Sequence, residues 1–164
     1  MRAFTESVTV HIQAPPRAVW DLITDVTRIG EFSPETLEGR WIDGATGPAV
    51  GAKFQGHVKR NGRGPMYWTT CRITRCEPER DFAFVVEVPG MGAGVNTWRY
   101  QLAPAPGPDG TDGTDVTESF ELTPSLFLKI YWLLAGPFRA KTNIRGMTET
   151  LHRIKAVAEK SPTN

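Results

Sequence analysis

Residues 8–25, VTVHIQAPPRAVWDLITD, decide the fold of this chain. At their start polar and apolar side chains alternate, with Val8, Val10 and Ile12 on one face, which is typical of a half-buried strand. Pro15 and Pro16 then predict a helix, because proline suits a first helical turn. The apolar residues that follow give this helix one buried face. The segment therefore predicts a strand that leads directly into an amphipathic helix.

The rest of the chain predicts one more short helix and six more strands. Asn61-Gly62 is typical of a two-residue hairpin, and Pro78 with the charged Glu79-Arg80-Asp81 predicts a second tight turn. No strand–helix unit repeats, so we expect one antiparallel sheet. The helix is predicted at Thr27–Phe32, and the strands at Leu37–Asp43, Ala52–Lys59, Met66–Cys76, Phe82–Val88, Asn96–Ala103 and Val116–Leu122.

A long helix is predicted after the last strand, because Thr123-Pro124 resembles an N-cap followed by proline. Gly136-Pro137 is expected to break or kink it, since proline removes a backbone hydrogen bond. Residues 1–160 then form one domain and residues 161–164 a flexible tail. The apolar side chains of the helix recur every three or four residues and form one stripe, made of Ile144, Met147, Leu151, Ile154 and Ala158.

The composition argues against a charged macromolecular partner. Of the 164 residues, 40% are hydrophobic and 23% are charged, and the formal net charge of +1 favours neither nucleic acid nor anionic lipid. The most apolar run, Leu126–Phe138, is too short to span a bilayer, so we expect no stable membrane insertion. Cys71 and Cys76 lie at odd spacing on one predicted strand, which points them to opposite faces. Two reduced thiols fit a cytoplasmic protein.

Four stretches carry a family resemblance: Val8–Asp25, Trp68–Phe84 (WTTCRITRCEPERDFAF), Trp98–Pro104 (WRYQLAP) and Gly113–Leu122 (GTDVTESFEL). With the long final helix they resemble the Bet v 1-like, START-related superfamily (SRPBCC), in particular bacterial polyketide cyclase/dehydrase-like proteins. The resemblance implies an α+β helix-grip fold. In that fold a seven-stranded curved antiparallel sheet wraps around a long C-terminal helix, with two short helices after the first strand. It also implies a hydrophobic cavity between sheet and helix.

The predicted strand register places one acid, Glu118, among apolar neighbours on the inward face. A buried carboxylate without a partner is costly, so we expect Glu118 to have a raised pKa or a partner. It is a candidate polar anchor or general base. A one-residue shift in register or a salt bridge would instead make it a structural residue. The predicted ligand-binding residues are Phe32, Phe54, Cys71, Phe84, Trp98, Tyr100, Glu118, Phe120, Ile130 and Leu134.

The other candidate residues favour binding over metal or nucleophile chemistry. Trp98 and Tyr100 are candidates to stack on a ligand, the alternative being ordinary core packing. Cys71 has no neighbouring histidine and is interpreted as a small hydrophobe. The three histidines lack metal-ligand spacing, so we expect neither a metal nor a cofactor. The glycines at 90, 92 and 94 predict a flexible loop near the cavity mouth.

The start of the last helix, Leu126–Leu134, is apolar nearly all round and needs covering on both faces. Three interpretations are open: a homodimer contact, a transient membrane contact, or a roof over a larger cavity.

Three functions follow from these patterns. The leading hypothesis is a non-catalytic binder or carrier of a hydrophobic small molecule that is lipid- or polyketide-like. The alternative is a polyketide cyclase or dehydratase that uses Glu118 with Tyr100 for proton transfer. A third hypothesis is an interaction module that uses the apolar start of the last helix.

Overall fold

One antiparallel sheet contains every strand of the described chain. The computed structural model describes residues 5–88, 94–123 and 126–160, without the side chains of Asn61 and residues 126–139. The strands are β1 Thr5–Ile12, β2 Thr36–Ile42, β3 Lys53–Val58, β4 Tyr67–Glu77, β5 Asp81–Glu87, β6 Gly94–Pro104 and β7 Thr114–Leu122. Their order across the sheet is β1-β7-β6-β5-β4-β3-β2, so the first and last strands are neighbours. The predicted seven-stranded antiparallel sheet is confirmed.

Two short helices follow β1, as predicted. Helix α1 spans Pro16–Thr24, and a 3₁₀ turn at Val26–Arg28 leads into α2 at Ile29–Phe32. Helix α2 lies close against β2, and glycine is required where they meet. A Cβ atom at Gly30 would lie 1.9 Å from the backbone oxygen of Leu37.

The third helix, α3, spans Leu126–Ala158 and completes the α+β helix-grip fold. Its main contacts with the sheet are to β1 and β7, and it also contacts α1 and α2. We call the side of the sheet that faces α3 the inner face. The core lies between them, and its largest fully buried side chains include Phe54, Phe82, Ile12, Ile73, Met147, Leu151 and Ile154.

Of the predicted break or kink at Gly136-Pro137, the break is wrong, because α3 is helical without interruption across both residues, and the kink stays a prediction. An interior proline costs a helix about 3 kcal/mol through one lost hydrogen bond and a steric clash. In a helix of 33 residues the packing of the remaining turns outweighs that cost.

The prediction that Cys71 and Cys76 point to opposite faces is also wrong. The register between β4 and β5 shifts between Ile73 and Arg75, which marks a β-bulge. A bulge adds one residue to a strand and reverses the alternation beyond it. Cys76 therefore lies opposite Phe82, whose side chain is buried in the core, and it packs partly against that core.

Two turn predictions need correction. The connection between β3 and β4 is longer than a two-residue hairpin, since Val58 pairs with Tyr67 and a 3₁₀ turn occupies Arg60–Gly62. Asp81 is the first residue of β5 rather than part of a turn. Its buried carboxylate accepts two hydrogen bonds from Arg99, at 2.8 and 2.6 Å. Of the predicted glycine loop at 89–94, residues 89–93 lie outside the described residues, whereas Gly94 is the first residue of β6. The tail at 161–164 also lies outside them.

Candidate functional site

A cavity of about 160 Å³ lies between the inner face of the sheet and the three helices. Its sheet side is lined by alternate residues of β3 to β7, because successive strand residues point to opposite faces. The helices contribute Leu22 from α1, Phe32 from α2, and Met147 and Ile154 from α3. Eight of the ten predicted ligand-binding residues line this cavity: Phe32, Phe54, Cys71, Phe84, Trp98, Tyr100, Glu118 and Phe120.

Aromatic rings form much of the cavity wall. Trp98 and Phe120 are directly opposite in the β6–β7 register, with ring centroids 5.0 Å apart and planes at 62°. Phe54 and Phe84 make a similar edge-to-face pair at 5.0 Å. Such rings present large apolar surfaces with few rotatable bonds. The wall is therefore suited to a flat or aliphatic ligand.

Glu118 and Tyr100 form a polar pair within this apolar wall. They are cross-strand partners, and the Tyr100 hydroxyl donates a hydrogen bond of 2.9 Å to Glu118 Oε1. Only 3% of Glu118 is exposed. Its other oxygen, Oε2, is buried and has no hydrogen-bond partner among the described residues. The prediction that Glu118 faces inward is confirmed, and its hydrogen-bond partner is Tyr100.

Burial controls the protonation of this pair. Removal from water raises the pKa of Glu118 to about 8, and the hydrogen bond from Tyr100 lowers it only in part. The pKa of Tyr100 is raised well above its usual value, first by burial and then by the nearby Glu118. At neutral pH Glu118 is therefore mainly a neutral acid that accepts at Oε1 and has a proton to donate from Oε2.

Asn96 is a second polar residue of the wall, and the sequence prediction missed it. It lies on β6 two residues before Trp98 and therefore on the same face. Its Oδ1 atom is buried and has no hydrogen-bond partner among the described residues. Trp98, Tyr100 and Leu102 alternate on one face of the strand, and this pattern extends backward to Asn96. It could have identified Asn96 as an inward-facing residue. A polar residue at the predicted start of a strand is usually assigned to the surface.

Polar and charged residues also line the cavity beside the β3–β4 connection. Arg60 and Tyr67 border it, and the Arg60 guanidinium carbon lies 5.9 Å from the Tyr67 ring centroid. Arg60 and Tyr67 are exposed. This end of the cavity is where we expect a ligand to meet solvent.

Cys71 lies on the cavity wall as an unreactive group. Burial raises the pKa of its thiol to about 12, and the thiolate is the nucleophilic form of cysteine. A side chain that stays protonated at neutral pH contributes apolar contact rather than covalent chemistry.

The described histidines lie away from the cavity. The imidazole of His11 lies 2.8 Å from the Asp115 carboxylate at the surface, the ring of His57 stacks on Trp68 at 4.5 Å, and His152 is exposed. Among the described residues no group of three or more His, Cys, Asp or Glu could hold a metal ion. No described helix is long and apolar enough to cross a membrane.

Two predicted ligand-binding residues, Ile130 and Leu134, belong to the part of α3 whose side chains lie outside the described residues. The same holds for the whole apolar segment Leu126–Leu134. Its three interpretations, as a dimer contact, a membrane contact or a cavity roof, stay predictions.

Comparison with known proteins agrees with this geometry. Residues 2–159 match a family model described as polyketide cyclase / dehydrase and lipid transport. A polyketide-cyclase-like protein from Corynebacterium glutamicum, solved by NMR, is 30% identical, with 96% of this chain and 93% of that chain covered and a TM-score of 0.62. No curated protein sequence matches significantly.

More distant structures share the fold. A START superfamily protein from Mycobacterium smegmatis has a TM-score of 0.69 at 13% identity, with 95% of this chain and 97% of that chain covered. An aromatase/cyclase from a Streptomyces species has a TM-score of 0.66 at 17% identity, with 97% of this chain and 95% of that chain covered. At these identities the likeness concerns the fold alone.

Proposed function

This chain belongs to the polyketide cyclase / dehydrase and lipid transport family, and on that basis we propose that it binds or carries a hydrophobic, lipid- or polyketide-like small molecule in its cavity. The observation that carries the proposal is a cavity of about 160 Å³ with an aromatic wall and a buried acid that retains a free oxygen. Ligand sites are typically apolar with a few placed polar groups.

The polar groups of the wall favour binding over catalysis. Acid–base catalysis of a cyclisation needs groups that exchange protons near neutral pH. Of the described groups that line the cavity, Glu118 has a suitable pKa of about 8. Tyr100 has a pKa well above its usual value and serves as a donor to Glu118. One titrating group can anchor a ligand without a catalytic partner.

Native mass spectrometry of the freshly purified protein, followed by denaturing extraction, tests the proposal. A co-purified hydrophobic molecule is the expected result, and its mass identifies the chemical class. The fluorescent apolar probe 1-anilinonaphthalene-8-sulfonate is then titrated into the emptied protein. No co-purified molecule together with no binding of this probe would overturn the proposal.

A matched pair of variants locates the bound probe. Cys71→Phe adds a ring to the cavity wall, where Cys71 is 4% exposed, and is expected to abolish probe binding. Thr70→Phe places the same ring on the opposite face of β4 and serves as the control. Equal probe affinity in both variants would place the binding site elsewhere. Circular dichroism verifies that both variants fold.

A cyclase or dehydratase is the second candidate, and the protonation of Glu118 is what favours it. A carboxyl group with a pKa of about 8 is present in both forms near neutral pH. The ionised form would take a proton from carbon beside a substrate carbonyl, and the acid form would give a proton to a departing hydroxyl, which leaves as water. Tyr100 would hold Oε1 so that Oε2 makes the transfer.

Proton exchange tests this second candidate without knowledge of the substrate. The ketone 2-tetralone exchanges the protons beside its carbonyl slowly in D2O, and NMR follows the exchange. An enzyme of this kind should accelerate the exchange, and Glu118→Gln should remove the acceleration while 2-tetralone still binds. Equal exchange in the two proteins would exclude Glu118 as the base for such a substrate.

A further inference from the structure

Two buried polar atoms on the inner face of β6 and β7 have no partner in the described protein. They are Oδ1 of Asn96 and Oε2 of Glu118. Most buried polar atoms in proteins are hydrogen-bonded, and one left without a partner lowers stability. Two such atoms on the wall of one cavity suggest that the missing partners belong to the ligand.

The two atoms belong to opposite ends of an aromatic segment. Asn96, Trp98 and Tyr100 alternate along β6, and Tyr100 pairs with Glu118 on β7. The four-residue step from Asn96 to Tyr100 corresponds to roughly 13 Å along a strand. Trp98 and its cross-strand partner Phe120 occupy the space between the two polar ends.

The hydrogen-bonding capacity of each end limits what it can bind. Oδ1 of an asparagine is an acceptor, so a ligand must bring a donor to Asn96. The Oε1 atom of Glu118 already accepts from Tyr100, so Oε2 of the neutral acid is left to donate. A hydroxyl group satisfies either end because it both donates and accepts.

We propose that the ligand is an elongated, flat, apolar molecule with a hydroxyl group at each end, one bonded to Glu118 and the other to Asn96. This inference rests on the proposed binding function and deepens it. A fatty acid does not fit this description, because it has one polar end and no second group to bond the other buried atom. Its carboxylate would be better placed beside the exposed Arg60.

A series of three rigid probes tests the inference on the unmodified protein. trans-Stilbene is flat and apolar, 4-hydroxystilbene adds one terminal hydroxyl, and 4,4′-dihydroxystilbene has a hydroxyl at each end. Isothermal titration calorimetry measures the affinities. We expect each hydroxyl to tighten binding roughly tenfold, since each satisfies a buried atom that otherwise lacks a partner.

Variants then assign the two ends. Within the Asn96→Leu variant, the affinity ratio between the probes should lose the tightening that one hydroxyl gives, and within Glu118→Leu it should lose the tightening that the other gives. Thr97→Val and Glu121→Gln are the controls, since both residues lie on the outer face of the same two strands. The controls should leave the affinities of all three probes unchanged.

The outcomes separate this inference from the proposed function. If the three stilbenes bind with equal affinity, the two-hydroxyl ligand is excluded while the binding function stands. If oleate binds more tightly than any stilbene and Arg60→Gln weakens it, the ligand is a single-headed lipid and the inference is wrong. If neither the stilbenes nor oleate bind while 1-anilinonaphthalene-8-sulfonate does, the inference alone is overturned. If that probe also fails to bind and no molecule co-purifies, the binding function is overturned as well.

Discussion

Replacement of Glu118 by Gln should change how the stability of the protein depends on pH. The pKa of this carboxyl group is 4.5 when it is in water and about 8 in the folded protein. Below pH 4.5 the group is protonated in both states and makes no difference. As the pH rises from there to 8, the unfolded chain loses the proton while the folded protein keeps it, so the free energy of unfolding falls.

The size of this effect follows from the two pKa values. Each pH unit between them lowers the free energy of unfolding by about 1.4 kcal/mol. The folded protein should therefore lose roughly 3–4 kcal/mol of stability through this group between pH 5 and pH 8. A domain is commonly stable by about 5–15 kcal/mol, so the loss is a large fraction of the total.

Urea unfolding followed by tryptophan fluorescence measures the effect at pH 5, 6, 7 and 8. The glutamine side chain of the Glu118→Gln variant does not titrate. The unfolding free energy of the variant relative to the wild type should therefore rise by roughly 3–4 kcal/mol from pH 5 to pH 8. The cost of burying the glutamine amide is the same at every pH. It therefore shifts the whole curve of unfolding free energy against pH and leaves its slope unchanged. Glu121→Gln removes a carboxylate from the exposed outer face of β7 and controls for net charge. If the difference in unfolding free energy between variant and wild type stays constant from pH 5 to pH 8, the conclusion that Glu118 is buried as a neutral acid is refuted.

Three further predictions concern the cavity wall, a buried ion pair and a close backbone contact. Because burial raises the pKa of the Cys71 thiol to about 12, this cysteine should react with iodoacetamide at pH 8 far more slowly in the folded protein than in guanidinium, as mass spectrometry of the modified peptides would report. Asp81→Asn should lower the free energy of unfolding by about 2 kcal/mol in urea titrations, because it weakens the two charged hydrogen bonds from Arg99. Gly39→Ala should lower the melting temperature by several degrees, since its Cβ would lie 2.2 Å from the backbone oxygen of Val26; an unchanged melting temperature would contradict that contact.

The fold was largely predictable because side chains along a strand point to alternate faces, so their pattern repeats every two residues. A sheet with one face on the core places every second residue inward. That rule correctly placed Phe54, Phe84, Trp98 and Glu118 on the cavity wall. It also predicted that an acid would be buried, which is informative because buried acids are rare.

The errors have local physical causes that the alternation pattern does not contain. The bulge beyond Ile73 adds one residue to β4 and brings Cys76 to the inner face. Gly136-Pro137 lies inside a helix that continues through it, since tertiary packing overrides the propensity of one proline. Pro78 and the charged run after it predict a turn that includes Asp81, whereas Arg99, which hydrogen-bonds Asp81 at the start of β5, is distant in sequence and absent from that local pattern.

The cost of burying Glu118 is itself an argument about function. At pH 7 this acid lowers the stability of the folded protein by about 3 kcal/mol relative to a group that stays neutral. An apolar residue would fill the same position without that loss. Places where a sequence breaks a packing rule are commonly functional.

The two proposed functions differ in the pH dependence that Glu118 should give them. A ligand hydroxyl that accepts from the neutral acid stabilises that form, so affinity should fall as the pH rises above 8 and Glu118 loses its proton. A cyclase or dehydratase needs the ionised form to take a proton and the acid form to return one, so its rate should be highest near the pKa. Loss of the neutral acid thus weakens a binder steadily, whereas an enzyme loses activity on both sides of that pH. One pH series on the bound dihydroxystilbene and on 2-tetralone exchange therefore distinguishes a group that holds a ligand from a group that transforms one.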